Sequence, residues 1–330
     1  CCVGVVEIGN TTVDGNVLVK LGNAAASSIT IQNGSHLGST ILSQGNGAGD
    51  NVQILNSYVQ DVNVSQGNGA GDVINIDTVT ISPIGKGVIT SQGNGNNDVT
   101  TINKVTLDLA GPPNNGNPFQ ALPSIRVSQG TGDKDVASVT NSIVTGDITI
   151  TQTGGTGTTQ DQATISNSTA GVVVDLSALG LGMQLLNGNL NITQGNGFKD
   201  QATITGSTGN FASIVQGNGA QDNAKVTNST INGSVTVSQG TGTVIPVTNP
   251  VTPTGGLVAL VDKVTGTIVN PVKNVPALTG GISVTQVGSA GQTLGNSATI
   301  SNSNAAGAVS IGQTNGNGNT ASITNVDPTI

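Results

Sequence analysis

Aromatic residues are nearly missing from this sequence: it has no tryptophan, one tyrosine and three phenylalanines among 330 residues. A globular core of that size normally draws on far more aromatic and leucine side chains, so an ordinary close-packed domain is not expected. Charge is scarce too. Only 8% of residues are charged, and seventeen acidic against nine basic groups leave a net charge of -8. Phosphate binding needs clustered Lys and Arg, so nucleic acid is not an expected partner. No run of about 18 apolar residues occurs, so no transmembrane segment is expected.

Cysteine is confined to Cys1 and Cys2, which leaves none to staple the body. A disulfide between sequence neighbours is strained. Three fates stay open for the pair: cross-links to other subunits in an oxidising exterior, a lipid on the N-terminal cysteine, or free thiols. The chain starts without Met, as it would after removal of a leader. Catalytic chemistry is equally thin. His36 is the single histidine and has no Cys or Ser–acid context, so it reads as a solvated turn residue. A β-helix polysaccharide lyase would need a cleft of carboxylates with cations, and Arg126 and eight Lys are the only cations present. No Gly-Lys-Ser/Thr follows the Gly-rich stretches, so they are not phosphate loops. The chain is read as a non-enzyme.

What is present is glycine (49 residues) with Val, Ile, Ala, Ser, Thr and Asn, a mix suited to short strands and tight turns. It is also repetitive. The run Ser43–Asp50, SQGNGAGD, returns as Ser65–Asp72 after 22 residues. With the glutamine as position zero, the slot is filled by Gln44, Gln66, Gln92, Gln129, Gln152, Gln194, Gln216, Gln239, Gln286 and Gln313, and by Leu21 in the first copy. Two residues before it stand Val, Ile or Leu, as in Leu42, Val64, Ile192 and Ile214, with Thr90 the exception. Ten after it stand Ile31, Ile54, Ile76, Ile102, Val139, Ile204, Val226 and Ile323. Twelve after it Asn dominates, as Asn33, Asn56, Asn141, Asn228 and Asn325.

Each unit therefore reads as strand, Gly-rich corner, strand, Asn-Ser corner. A strand pair of this kind cannot bury its apolar face alone, but stacked copies can. The expected fold is all-β: a single-chain parallel β-solenoid of about eleven two-strand rungs of 22–23 residues, spanning residues 6–330 behind a Cys-containing extension at 1–5. Three loop insertions are expected, at about 105–124, 171–189 and 243–280, all richer in Pro and Leu than the rungs. Side chains alternate sides along a strand, so position zero points inward with the Val or Ile two residues before it. A buried amide with no partner costs roughly 1–3 kcal/mol, whereas stacked amides satisfy one another. Both the Gln and the Asn series are expected to form inward ladders.

Six residues after the slot stand Asp50, Asp72, Asp98, Asp135, Asp200 and Asp222, with Asp161 at the equivalent corner of a gapped copy. They read either as a solvated acidic edge or as calcium ligands bridging rungs through oxygen. The sequons Asn167-Ser168-Thr169 and Asn228-Ser229-Thr230 recur because the corner recurs, so they carry little weight as glycosylation sites. An ice-binding array is disfavoured, because the outward column Ser43, Ser65, Ser91, Ser128 and Ser238 is broken by Thr151, Thr193 and Thr285.

The repeat resembles that of the curlin subunit of curli fibres, which has Ser, Gln, Gly, Asn, Ala and Gln at fixed spacing in units of similar length. The matching stretches are GQTNGNGNTASITN, with Gln313, Gly316, Asn319, Ala321 and Asn325, and VQGNGAQDNAKVTN, with Gln216, Asp222, Ala224 and Asn228. This chain departs by carrying Asn for curlin's second Gln, by a Gly corner one residue longer, and by its insertions. The resemblance implies an extracellular or cell-surface structural subunit of a prokaryote, polymerising into an amyloid-like fibre. VEIGNTTVDGNVLVKL already matches AKVTNSTINGSVTVSQ, so the repeat runs from about Val6 and is still running at residues 321–325. Copies of the chain stacked head to tail are the expected partner, with a monomeric adhesin on a solenoid stalk as the alternative.

Overall fold

The computed structural model describes residues 3–82, 84–107, 122–155, 160–175, 183–186, 188–197, 199–217, 222–231, 234–239, 247–248, 282–287, 297–305, 309–314 and 320–328. No helix occurs among them, and parallel strands stack as a β-solenoid of about eight turns.

Two walls enclose the core. The first carries the glutamine slot and is built from Val17–Lys20, His36–Ser43, the later half of Asn51–Ser65, Gly87–Gln92, Ser124–Gln129, Ile148–Gln152, Leu190–Gln194, Ala212–Gln216 and Val235–Gln239. Facing it are Val5–Gly9, Ser28–Gln32, the earlier half of Asn51–Ser65, Val73–Ile81, Val99–Asn103, Val136–Thr140, Gln162–Ser166, Gln201–Thr205 and Asn223–Thr227. A narrow edge joins the walls through two-residue strands such as Ile143–Val144, Thr169–Ala170, Thr208–Gly209 and Thr230–Ile231.

Every slot stacks on its own kind. Gln129 pairs with Gln92 on one side and Gln152 on the other, and Val139 lies between Ile102 and Ile165. The alternation of strand side chains fills the space between the walls with Ile29, Ile31, Ile54, Ile74, Ile76, Ile102, Ile125, Ile148 and Ile150, all fully buried. Each such side chain stabilises the stack by about 1.5–3 kcal/mol. A slip of one residue would turn the whole set outward, so register is strongly specified.

Register holds across two long spacings. Gln92 and Gln129 are 37 residues apart, and Gln152 and Gln194 are 42 apart, yet each pair is in direct register. Of the first insertion, 108–121 lie outside the described residues. In the second, Val172–Asp175 pairs antiparallel with Met183–Leu186, a hairpin attached to an otherwise parallel stack. Most of the third lies outside the described residues. Within it, Val247–Thr248 pairs parallel with Ile300–Ser301. Ile282–Val287 and Val309–Thr314 continue the glutamine wall, so the backbones of Gln239, Gln286 and Gln313 stay in the slot. Cys1 and Cys2 lie outside the described residues.

Candidate functional site

The Gly-rich corner holds the chain's unusual chemistry. Gln44, Gln66, Gln92, Gln129, Gln152, Gln194 and Gln216 point into the core and are buried. The amide nitrogen of each donates to the amide oxygen of the one before, at 2.8–2.9 Å, from Gln66 on Gln44 through Gln216 on Gln194. The same nitrogen reaches two carbonyls across the corner. For Gln66 these are Asp50 O and Val73 O, both at 3.1 Å. The glutamine therefore ties its own rung to the previous one and also clamps one wall to the other. Each net bond is worth roughly 0.5–1.5 kcal/mol, and the larger effect is that no amide is left unsatisfied.

The aspartates form a second ladder, and its place corrects the expected acidic edge. Asp50, Asp72, Asp98, Asp135, Asp161, Asp200 and Asp222 are buried, none more than 2% exposed. Each Oδ1 accepts the backbone N–H of the corresponding residue one rung earlier: Ser27 on Asp50 at 2.9 Å, Asp50 on Asp72 at 2.9 Å, then onward to Asp200 on Asp222 at 3.1 Å. The residue just before five of them is left-handed: Gly49, Gly71, Asn97, Lys134 and Lys199, with φ between 63° and 75°. That turn swings the following side chain from the rim into the corner. The Oδ2 atoms of Asp50, Asp72, Asp98, Asp200 and Asp222 are buried and have no hydrogen-bond partner.

Burial dominates the ionisation of this column. It lifts Asp98 to about 6 and Asp135 and Asp161 to about 7, while the amide donor from the previous rung pulls the other way. Asp222 reaches about 7, from burial and then from the charge of Asp200. Burial also raises Asp50, Asp72 and Asp200.

The glycines follow from the stacking. A Cβ on Gly69 would lie 2.7 Å from the carbonyl carbon of Gly47 and 2.9 Å from Asp72 Oδ1, and one on Gly95 would lie 2.8 Å from Asp98 Oδ2. No side chain fits between rungs there. Outside this column runs a third ladder that the sequence reading missed. The exposed side-chain oxygens of Asn23, Asn46, Asn68 and Asn94 accept the N–H of Asn46, Asn68, Asn94 and Thr131 in turn, at 2.8–3.0 Å. The recurrent Gly-Asn-Gly triplet was the available signal.

The opposite corner overturns the second inward series. Asn33, Asn56, Asn141 and Asn228 are exposed, and each is left-handed, with φ of 60°, 47°, 49° and 48°. Asn tolerates that conformation better than most residues. The turn resets the alternation, so the next residue goes in instead. Ser57, Ser142, Ser168, Ser207 and Ser229 are accordingly buried. Ser142, Ser168 and Ser207 donate their N–H to the hydroxyl of the serine one rung on, at 3.1–3.2 Å, and each of these hydroxyls donates to the carbonyl two residues back. The side chain of Asn325 lies outside the described residues. His36 sits exposed at this corner, its ring stacked on Tyr58 of the next rung at 4.1 Å.

The aspartate column does not fit calcium. Calcium takes six to eight oxygen ligands, whereas the column meets amide donors on one side and close-packed glycine backbone on the other. Among the described residues no group of three or more His, Cys, Asp or Glu is placed to hold a metal ion. No described helix is long and apolar enough to cross a membrane. In comparisons with known proteins, no family model matches the chain, and no curated protein and no solved structure matches it either.

Proposed function

We propose that this chain is a structural subunit of an extracellular, amyloid-like fibre, growing as copies stack end to end. The observation that carries the reading is the in-register stacking of like rungs, each presenting to the next an edge that matches it. Among the described residues, Val5–Gly9, Thr12–Val13 and Val17–Lys20 pair on one side only, with Ser28–Gln32 and His36–Ser43. Ile8, Val13, Val19 and Leu21 pack against the core but stay half-exposed, while their counterparts Ile31, Leu37, Leu42 and Gln44 are buried. A further rung laid on that edge would cover this apolar layer and pair the free strand groups together. Because rungs superpose by simple translation, another copy of the chain supplies such a rung, and the contact propagates instead of closing.

The eleven glutamine-slot copies and the curlin-like motif support the same reading. The stacked aspartates are buried and out of reach of a polymer chain, which speaks against the lyase reading. Negative-stain microscopy of purified protein is the test. Long filaments are expected, and deleting residues 1–16 should abolish them. Single rods from the full chain would replace this reading with that of a monomeric adhesin stalk.

A further inference from the structure

The Gly-rich corner contains seven carboxylates in a column, one per rung, and no buried cation beside them. Among the described residues, the aspartates are the only buried side chains that can carry a charge. Lys134 and Lys199 border the column, but their side chains are exposed. Asp133 is the other charged group near it, and it is half-exposed and acidic. Each carboxylate has one oxygen engaged by a backbone amide, and five have the second oxygen sealed from solvent without a donor. A row of dehydrated anions about one strand spacing apart is the least favourable way to fill such a corner. A neutral carboxylic acid fills the same space, keeps the Oδ1 acceptor and removes the repulsion.

We propose that this column binds protons where a metal ion would otherwise be invoked, so that folding of the solenoid takes up protons from solvent and mild acid holds the stack most firmly. The reaction is protonation of each carboxylate by the bulk solvent, with no other participant. The raised ionisation of Asp98, Asp135, Asp161 and Asp222, to about 6 or 7, agrees with the geometry. The direction of the coupling follows. An unfolded aspartate ionises near about pH 4, so between about pH 4 and about pH 7 the folded chain holds more protons than the unfolded one. Stability is therefore full below that window, falls as pH rises through it, and levels off above it. For each proton taken up on folding, the folding constant falls by about tenfold per unit rise in pH within that window.

The test is chemical denaturation of the whole chain from about pH 5 to about pH 8, in a His36→Gln background that leaves the chain without histidine. A folding constant that falls with rising pH by more than one proton's slope is expected. Asp135→Asn and Asp161→Asn should each reduce that slope, and relative to the parent each should gain with rising pH. A second measurement needs no variant. The infrared carbonyl band of protonated carboxylic acid should persist in the native protein at about pH 6, where free aspartate is ionised. A folding constant that is flat or rises with pH would overturn the proposal. So would variants weakened equally at every pH, or a carboxylic acid band lost by about pH 5.

Discussion

The two corners of a rung solve the same problem with different strictness. Both must turn the chain by a left-handed residue and hand a polar group to the next rung. The Gly-rich corner does so with a buried amide and a buried carboxylate in every rung from Gln44 to Asp222, joined in several rungs by an exposed amide. The Asn-Ser corner uses one small hydroxyl, and Val79 and Val105 occupy that slot in two rungs without any hydroxyl at all. The left-handed position itself is filled variously at both corners, by Asn56, Thr78, Lys104 and Gly206 here and by Gly49, Asn97 and Lys134 at the other. Register is thus written mainly at one edge of the solenoid, and the other edge follows.

The comparison breaks most sharply at the glutamine. Gln66→Glu buries a charge between Gln44 and Gln92 and removes the amide donor, at a cost on the order of 3–5 kcal/mol for an uncompensated buried charge. A large fall in Tm is expected, and wild-type melting would refute the inward clamp. Next comes Gly69→Ala, where a methyl group must push apart two stacked backbones. Overpacking of that kind costs about 1–3 kcal/mol, and a crystal structure of the variant should show the rungs displaced at that corner.

Moving to the tolerant corner, Ser168→Ala leaves the N–H of Ser142 without its acceptor, a loss of about 1 kcal/mol or somewhat more by urea denaturation. Ser168→Val should behave no worse than the alanine variant, since valine already occupies this slot twice. A valine variant as damaging as Gln66→Glu would erase the distinction between the corners. The smallest effect is expected at Asn68→Ala, where an exposed acceptor is lost and water replaces it, costing about 0.5 kcal/mol. Faster hydrogen exchange at the Asn94 amide is the measurement suited to that change.

Why some of this was legible in the sequence comes down to alternation. Within a strand, parity is reliable, and the glutamines share parity with Val64, Ile192 and Ile214, so their inward direction could be read directly. Across a corner parity fails, because one left-handed residue shifts the count. Asn141 is even-numbered from its glutamine, as Val139 is, yet it points outward and Ser142 takes its place. The aspartates were found by their period, and Asp135 shares the parity of Ala137 and Val139, but alternation says only which side a residue faces and not that the corner closes over it. The fold needed only spacing and composition. The depth of each corner residue needed backbone angles that spacing does not contain.

The ladders also give the stack a sense of direction. Glutamine donors point toward the earlier rung, as do the backbone donors that meet Asn46 and Asn68. The backbone donors that meet the aspartates and serines point toward the later rung. The two cut faces of any rung are consequently different keys. Strand edges alone would let two such bodies meet in either orientation, but like faces brought together would set glutamine amide against glutamine amide and leave the carboxylates facing no donor. The same bonds that hold one molecule together thus give any cut across the ladders two unlike faces, one offering what the other lacks.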